Sequence, residues 1–303
     1  MEKIGVIGLG NIAQKAYLPV MATLQDQFEW HLTTRNEAKG KMLEQKYGFK
    51  HFHQTLDQLI AQKPLAVFVH TPTETHYQII KRLLSSGINV YVDKPISEDL
   101  HEVEALYQLA AKKQLLLTCG FNRRFAPFNQ ELKKITDKRT IVSEKIREQA
   151  VQSTKFAIFD LMIHSIDTAV YLLDEKIQHV SNFLVTKDGN LEQGYITLQT
   201  AKSQAQIITN MAGGSNLELS TVQGVNTRQV VTNLNLLQTY QTGMITQTAR
   251  PDWENTLVTR GFDPIIRAFL TAVTTGADNP VSPESAILSH KLCTELSDSI
   301  QND

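Results

Sequence analysis

The sequence predicts an α/β chain. An N-terminal doubly wound parallel sheet spans residues 1–120, and a C-terminal α+β domain with a large, mostly antiparallel open sheet spans residues 121–303. Three observations carry this. Residues 1–120 alternate short, uniformly apolar runs with stretches of helical period, the pattern of parallel strands covered on both faces. The first apolar run leads directly into a glycine turn and a helix start. After Gly120 the texture changes to polar–apolar alternation broken by glycine turns, which suits antiparallel strands with one face on a core.

The elements follow in order. Ile4-Gly5-Val6-Ile7 is too short for anything but a buried strand, and a helix runs from about Asn11 to Leu24. Phe28 to Thr33 is the second strand. Asn36 is a good N-cap for a helix ending near Tyr47, with Gly48 just past it. Thr55 to Gln62 forms a short amphipathic helix, broken by Pro64 before the apolar strand Leu65 to Val69. A helix reaches Ser86 and is closed by Gly87, and Asn89 to Val92 is the next strand. Helix 98–113 and strand Leu115 to Cys119 complete the alternation.

Beyond Gly120, Phe121 to Leu132 and Phe156 to Leu173 read as helices. Residues 142–150 and 177–248 read as strands, with turns at Asp188-Gly189-Asn190, Ala212 to Ser215, Gly224-Val225-Asn226 and Thr242-Gly243. Two helices, about Asp263 to Thr275 and Pro283 to Ile300, end the chain. From Ile196 to Arg250 only Lys202, Glu218, Arg228 and Arg250 are charged. A sheet face so poor in charge is expected to meet a substrate or another subunit, making the chain a homodimer or homotetramer.

The totals narrow the class. The 303 residues and 42% hydrophobic content suit about two globular domains, and a net charge of −1 gives no footprint for nucleic acid or a membrane surface. Cys119 and Cys293 read as two free, buried thiols, and no leader or membrane span is visible, so a cytoplasmic protein is expected.

Gly8-Leu9-Gly10-Asn11-Ile12-Ala13 gives the first chemical signal. Gly8 permits the turn, Gly10 lets a pyrophosphate approach the backbone, and Ala13 lets helix and strand pack closely. The helix start offers N–H groups and a positive dipole end to phosphate. This is the fingerprint of a Rossmann dinucleotide-binding domain. An NAD site normally carries an acid at the end of the second strand. Here that strand ends in Thr33-Thr34-Arg35-Asn36. Thr34 offers a hydroxyl and Arg35 a planar cation suited to a 2′-phosphate, so NADP(H) is favoured over NAD(H).

Two further segments carry chemistry. Asp93-Lys94-Pro95 stands at a strand end, where ligands of such sheets bind. Asp160, His164 and Asp167 fall at i, i+4 and i+7 of a helix, so they are expected on one face, with Asp160 orienting the His164 imidazole. Metal chemistry on this helix lacks a second histidine cluster to complete a ligand set.

These residues, with the glycine turn, Thr71-Pro72 followed by His76, and Gly120-Phe121-Asn122-Arg123-Arg124-Phe125-Ala126-Pro127, resemble the Gfo/Idh/MocA family of NAD(P)-dependent oxidoreductases. Gly10 to Pro19 and Phe121 to Pro127 resemble its MviM-like branch. The resemblance implies a dehydrogenase or reductase acting on CH–OH or C=O of a small polyhydroxylated or carbonyl compound such as a sugar or polyol. It implies cofactor contacts at Gly8, Gly10, Asn11, Ile12, Thr34, Arg35, Thr71, Pro72, His76 and Lys94. Lys94 matches the catalytic-site lysine, His164 the general acid/base, and Asp160 its supporting carboxylate. Asp167 matches an acid whose role is structural. Arg123 and Arg124 match a substrate-lining segment, without a choice between them. A non-catalytic NAD(P)-binding regulator and a redox glycosidase with tightly bound cofactor remain alternatives. Two departures stand out: the family usually has Glu where this chain has Asp93, and Ser153-Thr154-Lys155-Phe156 replaces a glycine-rich approach to the Asp160–His164 helix.

Overall fold

The computed structural model describes residues 1–300. The chain divides into two compact units, Met1–Phe121 with Phe262–Ile287, and Asn122–Gly261 with the residues from Leu288 onward.

The first unit is built on β1 (Glu2–Ile7), β2 (Phe28–Thr33), β3 (His51–His53), β4 (Ala66–Val69), β5 (Asn89–Val92) and β6 (Leu117–Cys119). Their order is β3-β2-β1-β4-β5-β6, and every pairing is parallel. The order reverses direction beside β1, so the connections after β1 and β4 leave in opposite directions at the ligand-binding edge of the doubly wound fold. β3 has only three residues, too few to show a period in the sequence. The caps act where expected. The Asn36 side chain accepts from Lys39 N–H, Gly48 is left-handed, and Thr55 and Gln58 form a capping box.

The helix Phe262–Thr275, which lies beyond the expected division at Gly120, groups with the first unit. Its apolar face explains this. The ring of Phe269 lies 5.2 Å from Phe68 and 5.5 Å from Tyr91, closing one layer of the core. Phe269 is fully buried, which contributes about 2–3 kcal/mol. Asn279 extends the attachment, donating to the Leu117 carbonyl at 2.7 Å.

The second unit carries an eight-stranded sheet of β7 (Thr140–Ile146), β8 (His179–Lys187), β9 (Asn190–Gln199), β10 (Gln204–Asn210), β11 (Leu217–Gln223), β12 (Arg228–Thr232), β13 (Leu236–Gln241) and β14 (Met244–Ala249). The order is β14-β13-β12-β11-β7-β10-β9-β8, antiparallel throughout except where β7 meets β10. One face buries Ile141, Ile196, Leu198, Ala205 and Ile207. Elsewhere on the sheet, Phe183 is 63%, Met244 60% and Ile245 69% exposed. Phe183 pairs across strands with Tyr195, ring centroids 6.4 Å apart.

Three of the expected helices are irregular. Phe121 to Leu132 divides into a 3₁₀ turn, Asn122–Phe125, and a helix starting at Pro127. Phe156 to Leu173 contains a π-turn, Ile158–Met162, and a second π-turn, Ala13–Tyr17, follows the glycine loop. Both cysteines are buried thiols. Among the described residues no helix is long and apolar enough to cross a membrane.

Candidate active site

The first unit gathers its groups at the carboxyl ends of its strands. Gly8 has φ 90°, and a Cβ there would sit 2.5 Å from the His70 and Thr71 backbone, so only glycine lets β1 and β4 approach this closely. Gly10 is the reverse case. A Cβ at Gly10 meets nothing within 4 Å, so its face of the turn is open. The helix begins at Asn11, with Asn11 and Ile12 exposed. An open glycine at a helix N-terminus fits a dinucleotide pyrophosphate. At the end of β2, Thr34 is half-buried and Arg35 is exposed. Glu29 stands at the start of β2, bonded to His31 at 2.8 Å, well before the strand end where a ribose-binding acid belongs.

His76, expected at the cofactor, is held between two backbone turns. Its ring is 1% exposed and lies between two carbonyl oxygens, Thr71 O at 2.8 Å from Nε2 and Pro95 O at 3.0 Å from Nδ1. With both nitrogens facing backbone, His76 ties the Thr71-Pro72 turn to the Asp93-Lys94-Pro95 turn. Lys94 follows β5 directly and is half-buried, and Lys94-Pro95 is a cis peptide. The Asp93 carboxylate accepts the Lys94 N–H at 3.0 Å. Burial pushes the Asp93 carboxyl up, against the charge and N–H of Lys94.

His70, at the end of β4, is buried with no hydrogen-bond partner on either ring nitrogen. Burial pushes its pKa down to about 3, so the ring is neutral and packs as an aromatic against Tyr17, centroids 3.9 Å apart. A separate histidine cluster lies along β2 and β3, where ligand atoms of Glu29, His31 and His51 fall within 4.8 Å of one another. The His31 and His51 rings are stacked, 4.5 Å apart and 11° from parallel. A metal lies in the plane of each imidazole it binds, so two stacked rings do not share one in this arrangement.

In the second unit the two arginines separate. Arg124 is buried against Asp167, with Nε 2.9 Å from Oδ2 and Nη2 2.5 Å from Oδ1, and Ser289 donates to the same carboxylate at 3.0 Å. Burial raises the Asp167 carboxyl, opposed by the Arg124 charge. This closed pair binds the 3₁₀ turn to the helix Ile163–Leu172 and to the last helix. Arg124, expected with Arg123 along the substrate segment, is 6% exposed here, and Asp167 is 1% exposed.

Arg123 is the arginine beside His164. Its Nε donates to Glu218 at 3.0 Å, Nη2 reaches the other Glu218 oxygen at 3.3 Å, and Nη1 lies 3.2 Å from Asn122 Oδ1 and 3.4 Å from His164 Nε2. Lys145 bonds Glu218 from the opposite register position on β7. Burial would raise the Glu218 carboxyl, but Arg123 and Lys145 outweigh it and hold it well below the usual carboxylate range. Burial lowers the Lys145 ammonium against the pull of Glu218. Asp160 and His164 are both half-buried, Asp160 inside the π-turn and His164 two residues past its end. The π-turn changes the phase of Asp160 relative to His164 and Asp167, which both follow it in one regular helix, and Asp167 is 1% exposed. Gly261, with φ 79°, lets the chain pass within a Cβ's reach of the Asn122 carbonyl, and Asn122 donates to Arg260 O at 2.7 Å.

Comparison with known proteins identifies the family. Residues 2–121 match the profile of the Gfo/Idh/MocA oxidoreductase family, NAD-binding Rossmann fold. The chain is 31% identical to YceM of Salmonella typhimurium over 299 residues, covering 97% of this chain and 96% of that protein. The chain belongs to the Gfo/Idh/MocA family. Its structure superposes on the dehydrogenase MviM of Clostridium difficile with TM-score 0.93 and 32% identity, covering 99% of each chain. This Gfo/Idh/MocA protein is thus an NAD(P)-dependent oxidoreductase of MviM-like type. Inositol 2-dehydrogenase of Rhizobium meliloti is 29% identical over 227 residues, covering 69% of this chain and 68% of that enzyme.

Sequence reasoning missed Glu218 and Lys145. Glu218 stood out only as a lone carboxylate in an almost uncharged sheet, and its partner follows from strand register alone.

Proposed function

We propose that this oxidoreductase uses NADP(H) to interconvert a secondary alcohol and a ketone on a small sugar or polyol. Bound nicotinamide would supply the hydride acceptor or donor. Gly8, Gly10, Asn11, Ile12, Thr71 and Pro72 hold the dinucleotide backbone, and Thr34 and Arg35 receive the 2′-phosphate. The exposed Arg35 supports NADP(H), as does the position of Glu29 at the far end of β2. Lys94 binds the reacting hydroxyl and lowers the cost of its ionisation. His164 takes or returns the hydroxyl proton, with Asp160 supporting it. Arg123 sets the imidazole, whereas Arg124 keeps the turn in place. The name of the inositol dehydrogenase relative supports a polyol as the substrate class.

The observation that carries this reading is Lys94 at the carboxyl end of β5, in a sheet whose glycine turn is open at Gly10. Lys94→Met tests it. The wild type, screened with NADP+ and NADPH against sugars, inositols, polyols and diketones, should change cofactor absorbance with at least one. Lys94→Met should bind NADPH within about twofold of wild type while losing at least about 100-fold in turnover. Full turnover in the variant refutes the role of Lys94.

A further inference from the structure

Tyr17 holds a place that the reading above leaves unused. It closes the π-turn that follows the glycine loop, and it is fully buried. A π-turn contains more residues per turn than an α-turn, which moves the residue ending it round the helix. Here that residue points at the ends of the strands. Its ring rests on His70 at the end of β4, and Tyr91 in β5 and Phe262 meet it edge-on at 5.7 and 5.5 Å. Its hydroxyl lies 3.2 Å from the Tyr91 hydroxyl and 3.3 Å from Asp93 Oδ1. The same Oδ1 accepts the Lys94 N–H. Gly120, after β6, keeps the space open, since a Cβ there would lie 2.9 Å from the Tyr91 hydroxyl and 3.2 Å from that of Tyr17.

We infer that Tyr17 is a positioning residue for Lys94, acting through Asp93. The inference rests on the reading of Lys94 as the reacting lysine. A buried phenol and a carboxylate at a strand end each need a partner. The Tyr17 O–H and the Lys94 N–H converge on one carboxylate oxygen, so the orientation of Asp93 fixes where the Lys94 backbone leaves the strand. The phosphate-binding helix and the lysine turn are thereby tied together, and a shift in one is felt by the other.

The groups facing Asp93 are Tyr17, Tyr91, Lys94 and His76, and Cys119 faces Tyr91 from β6. Burial favours the protonated carboxyl; Lys94, its N–H, His76 and the Tyr17 hydroxyl favour the carboxylate. Loss of the Tyr17 hydroxyl therefore lets Asp93 protonate at higher pH.

The test follows the Lys94 backbone amide by NMR across a pH series on the deuterated full chain, free of cofactor and substrate. In wild type the amide titrates with Asp93. In Tyr17→Phe its midpoint should rise by about one pH unit, the worth of one hydrogen bond to a charged group. Tyr91→Phe, which removes a hydroxyl with no bond to Asp93, should leave the midpoint in place. An unchanged Lys94 amide in Tyr17→Phe overturns the inference. Wild-type protein carrying ¹³Cζ-tyrosine gives the same answer without a substitution. The Tyr17 Cζ and the Lys94 amide should share one midpoint, and separate midpoints overturn the inference. Neither measurement uses turnover, so its failure is distinct from a failure of the Lys94→Met test.

Discussion

Nη1 of Arg123 lies 3.4 Å from Nε2 of His164. A guanidinium has donors only, so Arg123 can hold the imidazole only through a ring nitrogen that bears a lone pair. Arg123 is in turn fixed by the two Glu218 oxygens. Arg123→Lys keeps the charge for Glu218 but loses the fork that spans carboxylate and imidazole. This variant should melt within a few degrees of wild type yet lose about 10–100-fold in turnover, with NADPH affinity unchanged. Arg123→Met should also lose about 3–5 kcal/mol of stability, because Glu218 is left buried with one cation fewer. Wild-type turnover in Arg123→Lys would show that His164 needs no help from the arginine.

His70 makes stability depend on pH. Its folded pKa is about 3, whereas the unfolded side chain titrates near 6.5. Below 6.5 the unfolded chain binds a proton that the folded chain refuses, so stability falls as the solution is acidified. The slope from this one group is about 1.4 kcal/mol per pH unit until the folded pKa is reached. His70→Leu, which does not titrate, should show a shallower loss of melting temperature between pH 6 and pH 4. Parallel curves for the two proteins would remove His70 from the account.

Cofactor choice is expected to rest on Arg35. Its guanidinium is exposed at the end of β2, and a bond to the 2′-phosphate is worth about 1.5–3 kcal/mol. Fluorescence titration should therefore give NADPH at least about tenfold tighter binding than NADH, and Arg35→Glu should abolish or reverse the difference. Equal or tighter binding of NADH by wild type contradicts the assignment.

The eight-stranded sheet should form the contact between copies of the chain. Phe183 and Tyr195 sit side by side on it, and Ile245 is exposed on the edge strand β14. Exposed apolar groups of this size on a nearly uncharged sheet mark an association surface. Sedimentation of wild type at micromolar concentration should show a dimer or tetramer, and Phe183→Glu with Ile245→Glu should show a monomer. A wild-type monomer would leave the sheet without its proposed partner.

Much of the candidate site lies in short stretches that the sequence displays directly. Gly8 and Gly10 declare a turn by what they lack, and Asn36, Gly48 and Thr55 mark helix ends through bonds to residues three or four positions away. Thr34-Arg35 and Asp93-Lys94-Pro95 follow strands whose apolar runs are plain. Asp160 and His164 were chosen by spacing, but spacing assumed an α-helix, and the π-turn Ile158–Met162 shifts the phase of Asp160 relative to His164 and Asp167. Nothing local signals an extra residue in a turn, because its cause is packing against other elements.

The sequence by itself determined the doubly wound sheet, the polar antiparallel sheet, the glycine turn and the residue types at the strand ends. These depend on period, caps and steric freedom, all set within about ten residues. Tertiary structure alone decided the rest. It gave Arg123 to Glu218 and His164 and Arg124 to Asp167, choices that two adjacent arginines do not reveal. It placed Phe269 over Phe68 and so returned a C-terminal helix to the first unit. It also brought Tyr17 to Asp93 across 76 residues. Each of these pairings is made by groups far apart in the chain that burial forces to find partners, and which partner is nearest is a property of the folded core.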